Sequence, residues 1–342
     1  MSDPFSQAPE PLRPSAAVSS SGSRPDIHRF HATVVVTTYN RAYLLDELIT
    51  ALAAQQTPDD LRWELVLVDN NSRDNTRQEV ERLAPRMRVP VRYVLESSQG
   101  MSHARNRGVR EARGTVVGIL DDDVLPAPDW VAAIVASMDH WRADGIGGRI
   151  LPKWETPPPR WLTASWYLQQ YCFALMKHNE SRELSYPMSG EGQIWGSNMA
   201  FRHRLFEEVG YFETGRGRAG GKLYRGGEEE IFVNRALQAG RRMVYDPSLL
   251  VLHRIGSNRM RKPYLRKFFF HHGEGEALVD VATGNSRGAP RWQYSMTVRR
   301  FVSWLGRAMT WRLDAFEHEL DFLYECGKLW GYWKARSRPS QP

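Results

Sequence analysis

The chain is short of cysteine, of long apolar runs and of acidic excess, and each shortage removes a class of protein. Only two cysteines occur in 342 residues, Cys172 and Cys326. They lie far apart and form neither a disulfide framework nor a zinc-ligand spacing, so a reducing compartment is the simpler expectation. No run of about 18 apolar residues is present, which argues against a membrane-spanning helix. Met1 to Arg29 is rich in proline and serine and lacks an apolar segment of signal-peptide length. Residues 1–30 therefore read as a disordered arm, and the expected location is cytoplasmic. The spaced-glycine fingerprint that follows the first strand of dehydrogenases is also missing, which argues against a nicotinamide cofactor.

What is there begins with charge and apolar content. The net charge is +7, which suits an anionic partner, and the 42% hydrophobic content is enough to bury a substantial core. Ala32 to Thr37 is a short β-branched strand, and Arg41 to Ala54 follows with Leu44, Leu48, Ile49 and Leu52 on one helical face. The alternation repeats. Strands are predicted at Trp63–Val68, Val91–Leu95 and Thr115–Leu120, and helices at Asp74–Leu83, Ser102–Ala112 and Asp129–Trp141. Near-continuous apolar strands separated by helices imply an α/β fold with a parallel sheet covered on both faces. Ligands of such sheets collect beyond the carboxyl ends of the strands. The residues there are all polar: Tyr39-Asn40-Arg41, Asp69-Asn70-Asn71-Ser72, Ser98-Gln99-Gly100 and Asp121-Asp122-Asp123.

Three carboxylates at one strand end repel one another. One explanation is a solvated turn with an aspartate capping the next helix. The other is a divalent cation, Mn²⁺ or Mg²⁺, which binds through one or two carboxylates plus substrate phosphates. Positive charge, polar strand ends and an acidic cluster together suggest a nucleotide diphosphate bridged to the protein by a metal. The metal would neutralise charge on a leaving phosphate.

Four segments then occur in order: Val34-Val-Val-Thr-Thr-Tyr-Asn-Arg41, Leu65-Val-Leu-Val-Asp-Asn-Asn-Ser72, Ala104-Arg-Asn-Arg-Gly108 and Leu120-Asp-Asp-Asp123. Together they resemble the family 2 glycosyltransferases, inverting enzymes of the GT-A fold that use nucleotide-sugar donors. The similarity runs from about Ala32 to about His253. It implies a Rossmann-like, mostly parallel sheet flanked by helices, with a catalytic domain over 31–253, its nucleotide-binding half at 31–144 and its acceptor half at 145–253. It also implies roles. Thr37, Tyr39 and Arg41 would contact the base and diphosphate, and Asp69, with Asn71 beside it, the base. Arg105 or Asn106 would lie near the base or phosphates. Asp121 and Asp122 would sit near the ribose and metal, with Asp123 the principal metal ligand. Gly196, in Gln193-Ile-Trp-Gly-Ser-Asn198, would let a sugar approach closely, and His253 would be a further metal ligand. Each of these residue types also has an ordinary structural use in capping, packing or solvation.

Gly226-Gly-Glu-Glu-Glu-Ile-Phe-Val-Asn-Arg-Ala-Leu237 holds a second acidic cluster. Its glutamates fall in the first turn of a predicted helix, where the dipole alone favours negative charge by about 0.3–1 kcal/mol. Inverting transfer needs one carboxylate to take the acceptor's hydroxyl proton. The family has Glu-Asp here. Glu228 matches the Glu, and Glu229 stands where the Asp would be. This departure leaves Glu229 the first candidate base, with Glu228 and Glu230 as alternatives. The basic, glycine-rich Gly215–Gly227 reads as a loop that closes over the diphosphate.

Residues 254–342 carry 16 Lys/Arg against 8 Asp/Glu and five of the 12 tryptophans. Val298, Phe301, Val302, Leu305 and Met309 share one helix face; Phe316, Leu320, Leu323 and Trp330 suggest another. A basic helical extension of this kind suits peripheral contact with an anionic membrane, at the inner face of the cell membrane. It equally suits packing on the catalytic domain. Lys267-Phe-Phe-Phe-His-His272 is expected on the same surface. The acceptor expected from the resemblance is a glycan, lipid-linked saccharide or polysaccharide precursor. Two other classes compete. A nucleotidyltransferase would show a glycine-rich phosphate loop near the start, and none is present. A nucleic-acid-binding protein would not need acids at strand ends, and no recognised binding motif occurs, so nucleic acid is not an expected partner.

Overall fold

The computed structural model describes residues 30–188, 193–214, 227–282, 286–312 and 314–336. The expected N-terminal arm and nearly all of the basic glycine-rich loop lie outside the described residues.

The first four strands form where the apolar pattern places them. β1 (Phe30–Thr38), β2 (Trp63–Asp69), β3 (Val91–Leu95) and β4 (Gly114–Asp121) run parallel in the order β3-β2-β1-β4. Consecutive residues Val34, Val35 and Val36 are all fully buried, as are Leu65 to Val68. That requires cover on both faces, since adjacent side chains of a strand point to opposite sides. The cover comes from α1 (Ala42–Ala53), α2 (Thr76–Leu83), α3 (Met101–Glu111) and α4 (Trp130–His140). One aspartate starts two of them: Asp74 accepts from Ala42 N–H and from Thr76 N–H, each at 3.1 Å. That satisfies amides that a helix start otherwise leaves unpaired.

The second half of the sheet is mixed. β5 (Val124–Pro126), β6 (Gly145–Trp154), β7 (Arg182–Glu183), β8 (Asn198–Arg202) and β9 (Met243–Ile255) extend the order as β4-β8-β6-β9-β5, with β7 on β9. β8 reverses direction and is antiparallel to both β4 and β6, whereas β6 and β9 run parallel. β8 lays Asn198 beside Leu120, so the segment before it reaches the acid-bearing end of β4. Short helices α5 (Arg160–Thr163), α6 (Trp166–Phe173) and α7 (His203–Val209) and the longer α8 (Glu228–Gln238) complete this half. β9 runs on past His253 to Ile255, so the strand continues across the expected domain boundary.

Three helices follow: α9 (Lys262–Ala282), α10 (Arg291–Met309) and α11 (Ala315–Arg336). α9 and α11 approach so closely that a Cβ on Gly327 would strike the Phe270 carbonyl, and one on Gly331 the Glu274 carbonyl. Both helices also pack on the catalytic half. Phe316 sits edge-on to Trp161 at 4.9 Å, Phe269 is buried 5.4 Å from Tyr171, and Leu320 is fully buried. The Phe316–Leu320 face is thus a packing face, while the Val298–Met309 face of α10 is exposed throughout. No helix of the described residues is long and apolar enough to cross a membrane.

Candidate active site

A cavity of about 810 Å³ opens at the carboxyl ends of β1 and β4. Its floor is the acidic run Asp121–Asp123. Its walls are the loop after β1, the Trp195–Ser197 segment, the start of α8, the end of α6 and one face of α9. β1 and β4 are register partners that place Thr37 beside Asp121, which is why a loop at position 40 and acids at position 122 share one site.

Asp121 meets one arginine, and Asp122 and Asp123 share another. Asp121 Oδ1 accepts from Arg105 Nη2 at 3.0 Å. Asp122 accepts from Arg41 Nη1 at 2.7 Å and from the Thr38 hydroxyl at 2.8 Å. Asp123 takes the same Arg41 nitrogen at 3.1 Å and faces Arg259 at 3.8 Å and His253 Nε2 at 3.6 Å. The consequences diverge. Burial pushes Asp122 up to about 6, with the Asp123 charge adding to it and Arg41 opposing. At Asp123 burial acts in the same direction, but His253 in its protonated form, Arg41 and Arg259 more than offset it and hold the carboxyl well below the usual carboxylate range. It is an anion at any working pH.

His253 is oriented for ligation. Its Nδ1 lies 2.7 Å from the Phe173 carbonyl oxygen, which can only accept. In the neutral ring that hydrogen bond fixes the tautomer and leaves the Nε2 lone pair toward Asp123. Arg259 Nη1 approaches the same nitrogen at 3.4 Å. Asp123 would suit either Mn²⁺ or Mg²⁺, and a neutral His253 beside it would favour Mn²⁺ over the oxygen-preferring Mg²⁺. Asp121 is not turned toward this pair. Among the described residues no group of three or more His, Cys, Asp or Glu converges as a metal cluster.

Arg105 is the most connected residue of the site. It is 1% exposed, and its guanidinium joins Asp121 on β4, Glu228 Oε1 at 2.7 Å on α8 and the Gly196 carbonyl at 3.2 Å. A Cβ on Gly196, which lines the cavity, would collide with that guanidinium, so the arginine by itself calls for a glycine there. Glu228 is consumed by this ion pair and only 3% exposed. Glu229 is left facing the cavity. Burial, the neighbouring Glu228 charge and the partial opposition of Arg105 leave it pushed up to about 8. Glu230 is exposed and no part of the cavity lining.

The remaining expected residues divide. Thr37, Tyr39 and Arg41 line the cavity. Asp69, Asn71 and Asn106 do not. Asp69 accepts from Ser72 N–H at 2.8 Å and from the Tyr93 hydroxyl at 2.7 Å, closing the turn after β2. Asn71 occupies that turn with φ +65°, exposed. The Asn106 amide is spent on both backbone groups of Phe212, at 2.8 and 3.0 Å, and is 2% exposed. Sequence reasoning missed Thr38, Arg259, Trp195 and Ser197. Trp195 Nε1 and Ser197 Oγ line the cavity, buried and without a hydrogen-bond partner. It also placed Lys267-Phe-Phe-Phe-His-His272 on an outer surface. Tyr264, Lys267, Phe268 and His271 instead line the cavity, a face that the three- and four-residue spacing had encoded.

The comparisons with known proteins place the fold and the family. The model for glycosyl transferase family 2 matches residues 33–210. A glucosyl-dolichyl phosphate glucuronosyltransferase of Haloferax volcanii is 26% identical over 252 residues, covering 73% of this chain and 77% of the relative. The succinoglycan biosynthesis protein ExoM of Rhizobium meliloti is 25% identical over 260 residues, covering 74% and 77%. Among solved structures, a mannosyltransferase of Pyrobaculum calidifontis in complex with GDP-Man and Mn²⁺ superposes with a TM-score of 0.58 at 18% identity, covering 91% of this chain and 88% of that one. The architecture is that of the GT-A transferases, and the chain belongs to glycosyl transferase family 2 and is a glycosyltransferase.

Proposed function

We propose that the cavity takes a nucleotide-diphosphate sugar at the ends of β1 and β4 and passes the sugar, with inversion, to an acceptor hydroxyl activated by Glu229. The observation that carries this reading is that Asp123, whose carboxyl neighbouring cations hold low, and Glu229, whose carboxyl burial pushes up, line one cavity.

Thr37, Tyr39 and Arg41 are the candidates for base and diphosphate contacts, and Trp195 and Ser197 bring unused hydrogen-bonding capacity to the same space. In the transfer step the Glu229 carboxylate takes the hydroxyl proton as the acceptor oxygen attacks the anomeric carbon. The bond from that carbon to the diphosphate oxygen breaks, and its electron pair leaves with the diphosphate. A divalent cation held by Asp123 and His253 would neutralise charge developing on that leaving group. Arg105 does not reach for the donor in this reading. It anchors Glu228, and with it the first turn of α8, so that the base is held in place.

The acceptor class proposed is a glycan or a lipid-linked saccharide, on the cytoplasmic side and with peripheral membrane contact. The name of the Haloferax relative, a glucosyl-dolichyl phosphate glucuronosyltransferase, supports the lipid-linked choice.

The test is incubation with a panel of nucleotide sugars and Mn²⁺ or Mg²⁺, following nucleoside diphosphate release. Release from one donor class, abolished by chelation and strongly reduced in Glu229→Gln with donor binding retained, is expected. Full turnover in Glu229→Gln would move the base to another residue.

A further inference from the structure

α10 contains four arginines and no acidic residue. Its inner side packs on α11: Trp304 stacks on Phe322 at 5.6 Å, Arg300 pairs with Asp321 at 3.0 Å, and Gln293 and Thr297 are buried. The other side is largely uncovered, with only Phe301 at its edge reaching Phe322 of α11 at 5.3 Å. Tyr294, Val298, Phe301, Val302, Leu305 and Met309 recur at three- and four-residue intervals and fall within an arc of about 100° on a helix of about 3.6 residues per turn. Val298 is 60% exposed, Val302 61% and Met309 73%, and Trp311 just beyond the helix is 93% exposed. Single exposed apolar residues need no explanation, but a continuous stripe of them does.

The charges around the stripe narrow what can cover it. Arg291 lies on the stripe's own arc at its first turn, Arg299 flanks it, and both are exposed with no carboxylate partner among the described residues. A second copy docked by the same face would set these unpaired arginines against their own images, at a cost. An anionic lipid surface meets both features at once, taking the stripe into the acyl boundary and the guanidinium groups at phosphate level.

We infer that α10 lies flat on an anionic bilayer, with Val298, Val302, Leu305 and Met309 inserted and Arg291 and Arg299 on the phosphates. The packing of α9 against α11 then ties the membrane-seated helix to the helix that walls the cavity. The inference deepens the peripheral-contact part of the proposed function by naming the face. It is independent of the transfer chemistry, because binding is measured without donor.

The experiment is co-sedimentation of the full chain with vesicles of phosphatidylcholine alone and of phosphatidylcholine mixed with phosphatidylglycerol. The wild-type chain is expected to sediment with the anionic vesicles and not with the neutral ones, with a blue shift of tryptophan emission. The triple variant Val298→Ser, Val302→Ser, Met309→Ser should lose this binding by about tenfold or more, as expected for removing most of the inserted area. Its melting temperature and its nucleotide binding in free solution should be unchanged, since these side chains contact little else. Arg291→Gln with Arg299→Gln should weaken binding by a smaller factor and flatten its salt dependence. Failure of the wild-type chain to bind anionic vesicles overturns the inference, as does equal binding by the triple variant. A wild-type dimer that the triple variant dissociates would also overturn it, by assigning the face to a second copy. Donor cleavage without vesicle binding would sink this inference and leave the proposed reaction standing; vesicle binding without donor cleavage would do the reverse.

Discussion

Two acidic triplets face one cavity, and they are wired in opposite ways. Asp121, Asp122 and Asp123 each meet an arginine, and Asp123 meets two arginines and a histidine. Of Glu228, Glu229 and Glu230, only Glu228 has an arginine within bonding distance among the described residues. Runs of three like charges therefore differ in their extremes: the aspartate run, beside an Asp122 pushed up to about 6, holds Asp123 far below its ordinary pKa, and the glutamate run holds Glu229 pushed up to about 8. Burial acts in the same direction on both. What differs is where the side chains of α3, β9 and the loop after β1 deliver their cations. A sheet end rich in cations keeps a permanent anion, and a helix start with one cation, already taken, keeps a carboxylate that can hold a proton.

The comparison breaks most visibly at Asp123. Asp123→Ala is expected to bring product formation below detection and to remove Mn²⁺-dependent nucleotide binding, measured by calorimetry, with the circular dichroism of the fold retained. The other triplet is tested by Glu229→Gln, which should lower turnover by about 10²–10⁴ while leaving the donor dissociation constant near its wild-type value. Next comes the strut between the two triplets. Arg105→Met leaves Glu228 buried without its partner, so unfolding free energy should fall by about 3–5 kcal/mol in urea titration. Arg105→Lys should recover part of this, because one ammonium cannot span Asp121, Glu228 and the Gly196 carbonyl together.

A smaller effect sharpens the contrast through pH. A base must be deprotonated to act, and a carboxyl raised to about 8 is only about one-tenth ionised at pH 7. Turnover at saturating donor should therefore climb about tenfold per pH unit below that value and level off above it. The residual turnover of Glu229→Gln should lack this limb. A wild-type profile already flat from pH 5 upward would show that Glu229 carries no such role.

Much of this was legible in the sequence, for a physical reason. Strands buried on both faces must be apolar at every position, so Val34–Val36 and Leu65–Val68 announce a covered parallel sheet, and its ligand end follows from topology. The polar residues at that end were visible too. Their division of labour was not. Asp69 and Asn106 spend hydrogen bonds on the turn after β2 and on Phe212, Asn71 sits exposed in that turn, and nothing in their spacing separates them from Thr37 or Arg41, which line the cavity. Arg259 joins Asp123 from six residues past His253, a contact that depends on how the chain turns after β9. The tail was ambiguous because amphipathic helices look alike whichever partner covers them. Leu320 and Phe269 found protein, and Val298 and Met309 did not.

The most direct measurement is a crystal structure of the chain with a nucleoside diphosphate and Mn²⁺, using the anomalous signal to place the metal. The account predicts the diphosphate at the end of β4 and a manganese peak on Asp123 and His253, with Glu229 free of metal and open to the cavity. A manganese peak on the glutamate triplet, or a nucleotide bound away from the ends of β1 and β4, would contradict it.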